Sequence, residues 1–452
     1  MLLAGDGHEV TVWERDPAEV PEGDADVLWC DWQRPGVSQF RLPNTLPPGW
    51  LALMERELPA VVGELVSIGG VRTNLIDTLP VAMTGGRRAG DERFDKIAAR
   101  RPAVEAALAR AASCTPGVQV RRGVAVTGLD AVSDAVGGVP RITGLIAGGE
   151  TVPADLVIDA GGRRSPVKGF LKRFGIEYAQ EREDAGFVYY ARHFRSSDGS
   201  YPAALAMDLQ HFESISVLAT LCERGTWLVG LITSATDRQL RALREPEVWN
   251  RVLALFPTLA HWAEAEAITG VQVMAGLEDR YSRLVVDGSP VVTGFAAIGD
   301  AWATTNPSLG RGATIGALHA CALRDVLREV GVEAADKLVR RFDEVTEEKL
   351  GPLYRRTLSF DRHRLAEIDG DVAGQPYRTS SRSWAIGKAL GAAALRDPDA
   401  LRAFLSAASL VDSPPGERSG PAPGDLMAGP DAQAPRYPSP GPSRSQLLAA
   451  IG

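Results

Sequence analysis

Four short stretches hold residues whose types and spacing suit the binding of a ribose, a polyol or a phosphate. In VTVWE an apolar run from Val10 to Trp13 ends on Glu14, and a carboxylate at the end of the second strand of a β-α-β unit accepts ribose hydroxyls. In VVTGFAAIGD, Asp300 follows an apolar strand, at the edge where an open α/β sheet places its ligand. In NPSLGRGATIGALHA, Pro307, Gly310 and Gly312 open a long apolar helix, leaving N–H groups at its N-terminus with no bulky side chain in front of them. Such an end stabilises negative charge on a ring or a phosphate. In ADLVIDAGGRRSPV, Gly161 and Gly162 permit close backbone approach, and Arg163 or Arg164 can meet an anion. Each stretch alone also fits a plainer role: a solvated strand end, a turn aspartate, an entry to a buried helix, surface arginines. Their order and separation carry more weight than any one of them.

The elements that must position these residues follow from pattern. MLLAGDGHEVTVWE reads as helix end, turn and strand, with Gly7 suited to the left-handed helix-closing position. It is the second half of a β-α-β unit. VLWCDWQRPGVSQFRLPNTLPPGW has no clear period and reads as a loop or lid. From Phe94 to Ala112, the spacing of Ile97, Val104 and Leu108 among alanines predicts a helix. VQVRRGVAVTGLDAV and RITGLIAGGETVPADLVIDAGG read as short strands with a hairpin.

Between 185 and 285, GFVYYARHF, SISVLATLC and GTWLVGLIT predict an antiparallel sheet with one buried face. The first of these strands carries Tyr189, Tyr190, Arg192 and His193, and alternation lets at most half of them line a pocket. Tyr189 and Arg192 are the candidates. Helical, charged sequence runs to about 410, and residues 413–452 are rich enough in Pro, Gly and Ser to predict a disordered tail.

The 452 residues are 45% hydrophobic with a net charge of -8, enough for a core in more than one domain. With no Lys/Arg-rich block, a nucleic acid or an anionic membrane is not the expected partner, and a small organic molecule is. Cys30, Cys114, Cys222 and Cys321 lack metal-site spacing and read as buried, reduced thiols. Neither an 18-residue apolar run nor a secretory leader is present, so the expected location is the cytoplasm.

Together, over residues 1 to about 365, these stretches resemble the flavoprotein monooxygenases typified by para-hydroxybenzoate hydroxylase, with their halogenase, epoxidase and geranylgeranyl-reductase-like relatives. The resemblance implies an α/β fold: a Rossmann-like FAD-binding domain of glutathione-reductase type, over 1–50, 94–165 and 285–345, interleaved with an antiparallel substrate domain over 51–93 and 166–284. C-terminal helices over 346–412 follow. By the same likeness Glu14 and Arg15 meet the adenosine ribose, Arg101 of RPAVEAAL contacts FAD, and the Val126 backbone meets adenine. Asp300 binds the ribityl chain, Pro307 lies beside the isoalloxazine, and Gly310 and Gly312 face its pyrimidine edge. No catalytic acid or base is implied.

The implied reaction is NAD(P)H-dependent insertion of one oxygen atom from O2 through a flavin hydroperoxide. Two departures bear on it. Gly161 stands where the hydroxylases carry an aspartate, which weakens the expectation of their pyridine-nucleotide contact, and the WxWxIP signature of halogenases is absent. The family's first strand and GxGxxG loop are also absent, so about 15 to 20 further residues are expected ahead of Met1. The alternatives are a flavin reductase of isoprenoid double bonds and a pseudoenzyme that has lost FAD with its glycine loop.

Overall fold

The computed structural model describes residues 1–37, 39–133, 138–411 and 436–452. Helix α1 (Leu2–Gly5) turns through Gly7, at φ +89°, into strand β1 (Val10–Glu14). Helix α2 (Arg101–Ser113) leads to β2 (Val118–Arg122), which lies parallel to β1 with Arg122 opposite Glu14. Among the described residues β2 is the only strand neighbour of β1, and the apolar Val12 is 43% exposed. Strand β3 (Val157–Asp159) starts a second parallel pair, completed much later in the chain.

The helix expected from Phe94 begins only at Arg101. Asp95–Ala98 is instead a strand, antiparallel to Val71–Asn74, with Ile97 opposite Arg72. Pro102 sets the start, because a residue without an N–H fits the first helical turn and no later one. The expected loop or lid after Pro21 is partly helical over Ala25–Asp31. Asp24 caps that helix by accepting from Asp26 N at 3.0 Å and Val27 N at 3.3 Å.

Strands β4 (Phe187–Arg195), β5 (Ile215–Leu221) and β6 (Thr226–Ser234) form the middle sheet, ordered Leu209–Phe212, β5, β6, β4, with Glu266–Ala267 and Gln272–Met274 on the far edge of β4. The expectation of one buried face is corrected: β6 is buried along its whole length. Trp227, Val229 and Leu231 pack against Trp249, Leu253 and Phe256, while Ile232 packs with Met274, Leu277 and Ile368 on the opposite face. Both faces exclude water.

Strand β7 (Glu278–Arg283) pairs with Ala179–Asp184 and Ala303–Thr304, and β8 (Phe295–Ala297) completes the parallel pair with β3. The chain then passes Gly299–Asp300 into helix α3 (Gly312–Val330), and continues into α4 (Gly351–Val372) and α5 (Pro398–Ser409). Most of the stretch expected as a disordered tail lies outside the described residues. Its end is ordered, a correction: helix α6 (Arg444–Ile451) carries a Ser443–Gln446 capping box and buries Leu447 in the Trp249 core. Five apolar residues in LLAAI suffice for this docking but are swamped by the surrounding Pro and Gly in a composition count. The four cysteines are unpaired, and Cys30 and Cys114 are exposed rather than buried.

Candidate functional site

At the end of β1 the Glu14 carboxylate is held from two sides. Its Oε1 accepts from Asp16 N at 3.0 Å, and its Oε2 from Arg34 Nη2 at 2.5 Å. Arg34 also reaches Asp16 at 3.2 Å and Glu105 at 2.8 Å, so one guanidinium balances three carboxylates. Glu105 in turn accepts from Arg101 Nε at 2.6 Å, one helical turn back. Burial lowers the affinity of Arg34 for its proton, and Glu105, Glu14 and Asp16 together raise it above its ordinary value. Arg15 lies against Gly36, where a Cβ would come within 3.3 Å of its Nη2. Val124 N donates to Glu14 O at 3.2 Å, which brings the Val126 strand to the same end of β1.

Asp300 follows Gly299, whose φ of +56° turns the chain out of β8. Asp300 is exposed, yet desolvation by the surrounding protein raises its pKa, against the opposing pull of Arg101 first and Arg163 second. Arg101 and Arg163 are thus the cations whose charge acts on this carboxyl. Beyond it, Gly310 adopts the left-handed conformation at φ +64°, and a Cβ there would sit 1.9 Å from Thr45 Oγ1. Helix α3 begins with no side-chain cap, and Gly312 and Ala313 are exposed. Its first N–H groups thus have neither an intrahelical nor a side-chain partner.

Residues within 34–37 and 39–45 touch both groups. Arg34 holds Glu14, Gln39 accepts from Arg101 Nη1 at 3.4 Å, Leu42 packs in the cluster of Tyr189, and Thr45 closes on Gly310. Behind the Pro307 turn lies a buried polar group of a different kind. Tyr189 OH donates to Asn306 Oδ1 at 2.8 Å, Asn306 N donates to Asp279 Oδ1 at 2.7 Å, and Ser308 Oγ donates to Asp361 Oδ1 at 2.5 Å. Burial pushes Tyr189 well above its ordinary pKa and also raises Asp279.

Arg34, Glu105 and Arg101 thus link Glu14 to Gln39, Arg15 lies against Gly36, Val124 ties the Val126 strand to the end of β1, Gly310 lies against Thr45 beside Gly312, and Tyr189 bonds Asn306 next to Pro307. Arg192 does not join these contacts. Alternation along β4 turns it to the opposite face, where Nη1 donates to Asn250 Oδ1 at 2.7 Å and the guanidinium lies 5.4 Å from the Trp249 ring centroid. The two candidates for the substrate pocket therefore lie on opposite faces of β4. The sequence reading also missed Arg34, inside an aperiodic stretch, and Asp361, 53 residues beyond Ser308. A separate cavity lined by Asp159, Trp302, His319 and Phe342 lies behind β8 and includes neither Pro307 nor Tyr189. Among the described residues no metal-ligating cluster occurs, and no helix is long and apolar enough to cross a membrane.

The donor set fits a dinucleotide bearing a redox ring. Glu14 uses one bond per oxygen and keeps lone pairs for hydroxyls. Asp300 is exposed and feels the charge of two arginines, and the uncapped α3 terminus suits an anionic edge. No protein-family model matches the chain. Over 189 residues it is 30% identical to Protein Rv3254 of Mycobacterium tuberculosis, covering 40% of this chain and spanning only 38% of that relative. Three solved structures share its fold. PqsL of Pseudomonas aeruginosa, described as a probable FAD-dependent monooxygenase, superposes with a TM-score of 0.57 at 15% identity, over 81% of this chain and 94% of PqsL. The flavin-dependent halogenase CmlS gives 0.52 at 18%, over 96% and 73%. 2-Methyl-3-hydroxypyridine-5-carboxylic acid oxygenase gives 0.51 at 17%, over 81% and 91%.

Proposed function

We propose that this chain, which has the fold of FAD-dependent monooxygenases, is itself one, acting in the cytoplasm on a small organic substrate with NADH or NADPH as reductant. The reading takes Glu14, Arg101, Asp300 and the uncapped start of α3 as lining one cleft, and one observation supports it: Arg34 bonds Glu14, Gln39 bonds Arg101, and Thr45 lies against Gly310 just ahead of α3. When bound, FAD supplies the redox chemistry, taking electrons from the nicotinamide and activating O2 for transfer of one oxygen atom. Residues 1–50, 94–165 and 285–345 hold the cofactor in this reading, and 51–93 with 166–284 cover the substrate.

The chain's own groups then have defined tasks. Glu14, with Arg15 beside it, takes the adenosine ribose, and the Val126 backbone meets the adenine. Arg101 stands near Asp300, which takes the ribityl hydroxyls. Pro307 and Gly310 shape the turn beside the ring, and the Gly312 and Ala313 N–H groups stabilise negative charge at its edge. Tyr189 fixes Asn306 and with it that turn. The doubly covered middle sheet keeps the ring end dry.

The test is oxygen uptake by the FAD-loaded chain with NAD(P)H across a panel of phenolic, indolic and alkene substrates. Uptake matched by an oxygenated product supports the reading. Stoichiometric NAD(P)H oxidation with a saturated product and no oxygen uptake selects the reductase instead, and failure to retain FAD selects the pseudoenzyme.

A further inference from the structure

Asp361 reaches the Pro307 turn from α4 and is 3% exposed. Its Oδ1 is satisfied by Ser308, while its Oδ2 is buried with no hydrogen-bond partner among the described residues. The Asn306 amide acts on the same carboxyl, yet its Nδ2 is also buried without a partner. An ionised carboxylate with an unmet oxygen in a dry site costs several kcal/mol, so such a group keeps its proton.

The surroundings agree. Burial pushes Asp361 up to about 8, Asp279 on β7 adds to the rise, and Ser308, Asn306 and Arg311 of the turn hold it down. Tyr189 on β4 faces the same carboxyl. Arg311 does not form an ion pair with it: its guanidinium donates instead to Ala407 O at 2.7 Å and Ala408 O at 3.2 Å, at the end of α5.

We infer that Asp361 is a positioning residue for the Asn306–Gly310 turn and acts as a neutral acid, holding Ser308 and Asn306 so that the start of α3 presents its N–H groups to an anionic ligand edge. Ionised, it places a negative charge behind the turn, beside the Asp279 carboxyl, and opposes that ligand. This rests on the flavin reading of the cleft.

FAD affinity of the full chain, followed by flavin fluorescence from about pH 6 to pH 9.5, tests it in the wild type, Asp361→Asn and Asp361→Ala. If only the protonated form binds, wild-type affinity falls about tenfold between about pH 7 and pH 9, the protonated fraction setting the apparent constant. The asparagine variant matches the wild type near pH 7 and stays flat, and the alanine variant is weaker throughout. A second readout needs no flavin. The unfolded carboxyl ionises near 3.9 and the folded one near 8, so the folded state holds a proton that the unfolded state has lost, and stability falls as pH rises through that window. Wild-type Tm should therefore drop more steeply than that of Asp361→Asn. Parallel melting curves, or FAD profiles that coincide for the wild type and Asp361→Asn, overturn the role of Asp361. Absence of FAD binding at every pH, with all variants folded, overturns the flavin reading and this role with it.

Discussion

The two ends of the proposed cleft handle charge in opposite ways. At the β1 end, Arg34 contacts three carboxylates, all partly open to water. At the Pro307 end, Asp361 and Asp279 are buried with no guanidinium in contact among the described residues, and burial raises both pKa values. Near water, an ion pair is a tolerable way to hold a carboxylate in place, because the desolvation it costs is small. In a dry site the proton that Asp361 keeps does the same work at lower cost. The contrast matches what each end handles in the proposed reading: ribose hydroxyls at one, an oxygen-sensitive ring at the other.

Substitutions can break this contrast, the largest effect first. Gly310→Ala imposes a left-handed alanine and a Cβ 1.9 Å from Thr45 Oγ1, and should cost about 2–4 kcal/mol in denaturant unfolding and abolish FAD retention. Adding Thr45→Ala should recover only the steric part. Arg34→Ala leaves Glu14, Asp16 and Glu105 facing one another, and should cost about 1–3 kcal/mol. Calorimetry should show FAD affinity reduced while the pH profile assigned to Asp361 is unchanged. Tyr189→Phe removes the donor to Asn306 Oδ1, and chemical denaturation should register about 1–2 kcal/mol. Salt then sharpens the comparison: half-molar chloride should shrink the Arg34→Ala penalty by a few tenths of a kcal/mol and leave that of Tyr189→Phe unchanged.

What the sequence disclosed divides along the same line. Glu14, Asp300, Gly310 and Gly312 announce themselves locally, as an acid ending an apolar strand or glycines opening a helix. Arg34 gives no such signal, since its three partners come from β1, the turn after it and α2. Asp361 sits in SFDRHRLAEID, whose charges read as a solvated helix face until α4 packs on the turn. Alternation on β4 separates Tyr189 from Arg192, but which face meets the cleft depends on the helix at Pro246–Leu253 and on α6, which local pattern does not encode. Ile97 belongs to the helical spacing and to a strand at once, and its pairing with Arg72 decides between them.

The most direct measurement is the flavin content of the purified full chain, read from its visible spectrum after incubation with FAD and desalting, beside that of Asp300→Ala. The account predicts close to one FAD per wild-type chain and a large loss in the variant, both proteins remaining folded by circular dichroism. A folded wild-type chain that emerges colourless, or an Asp300→Ala variant that keeps its full complement of FAD, would contradict it.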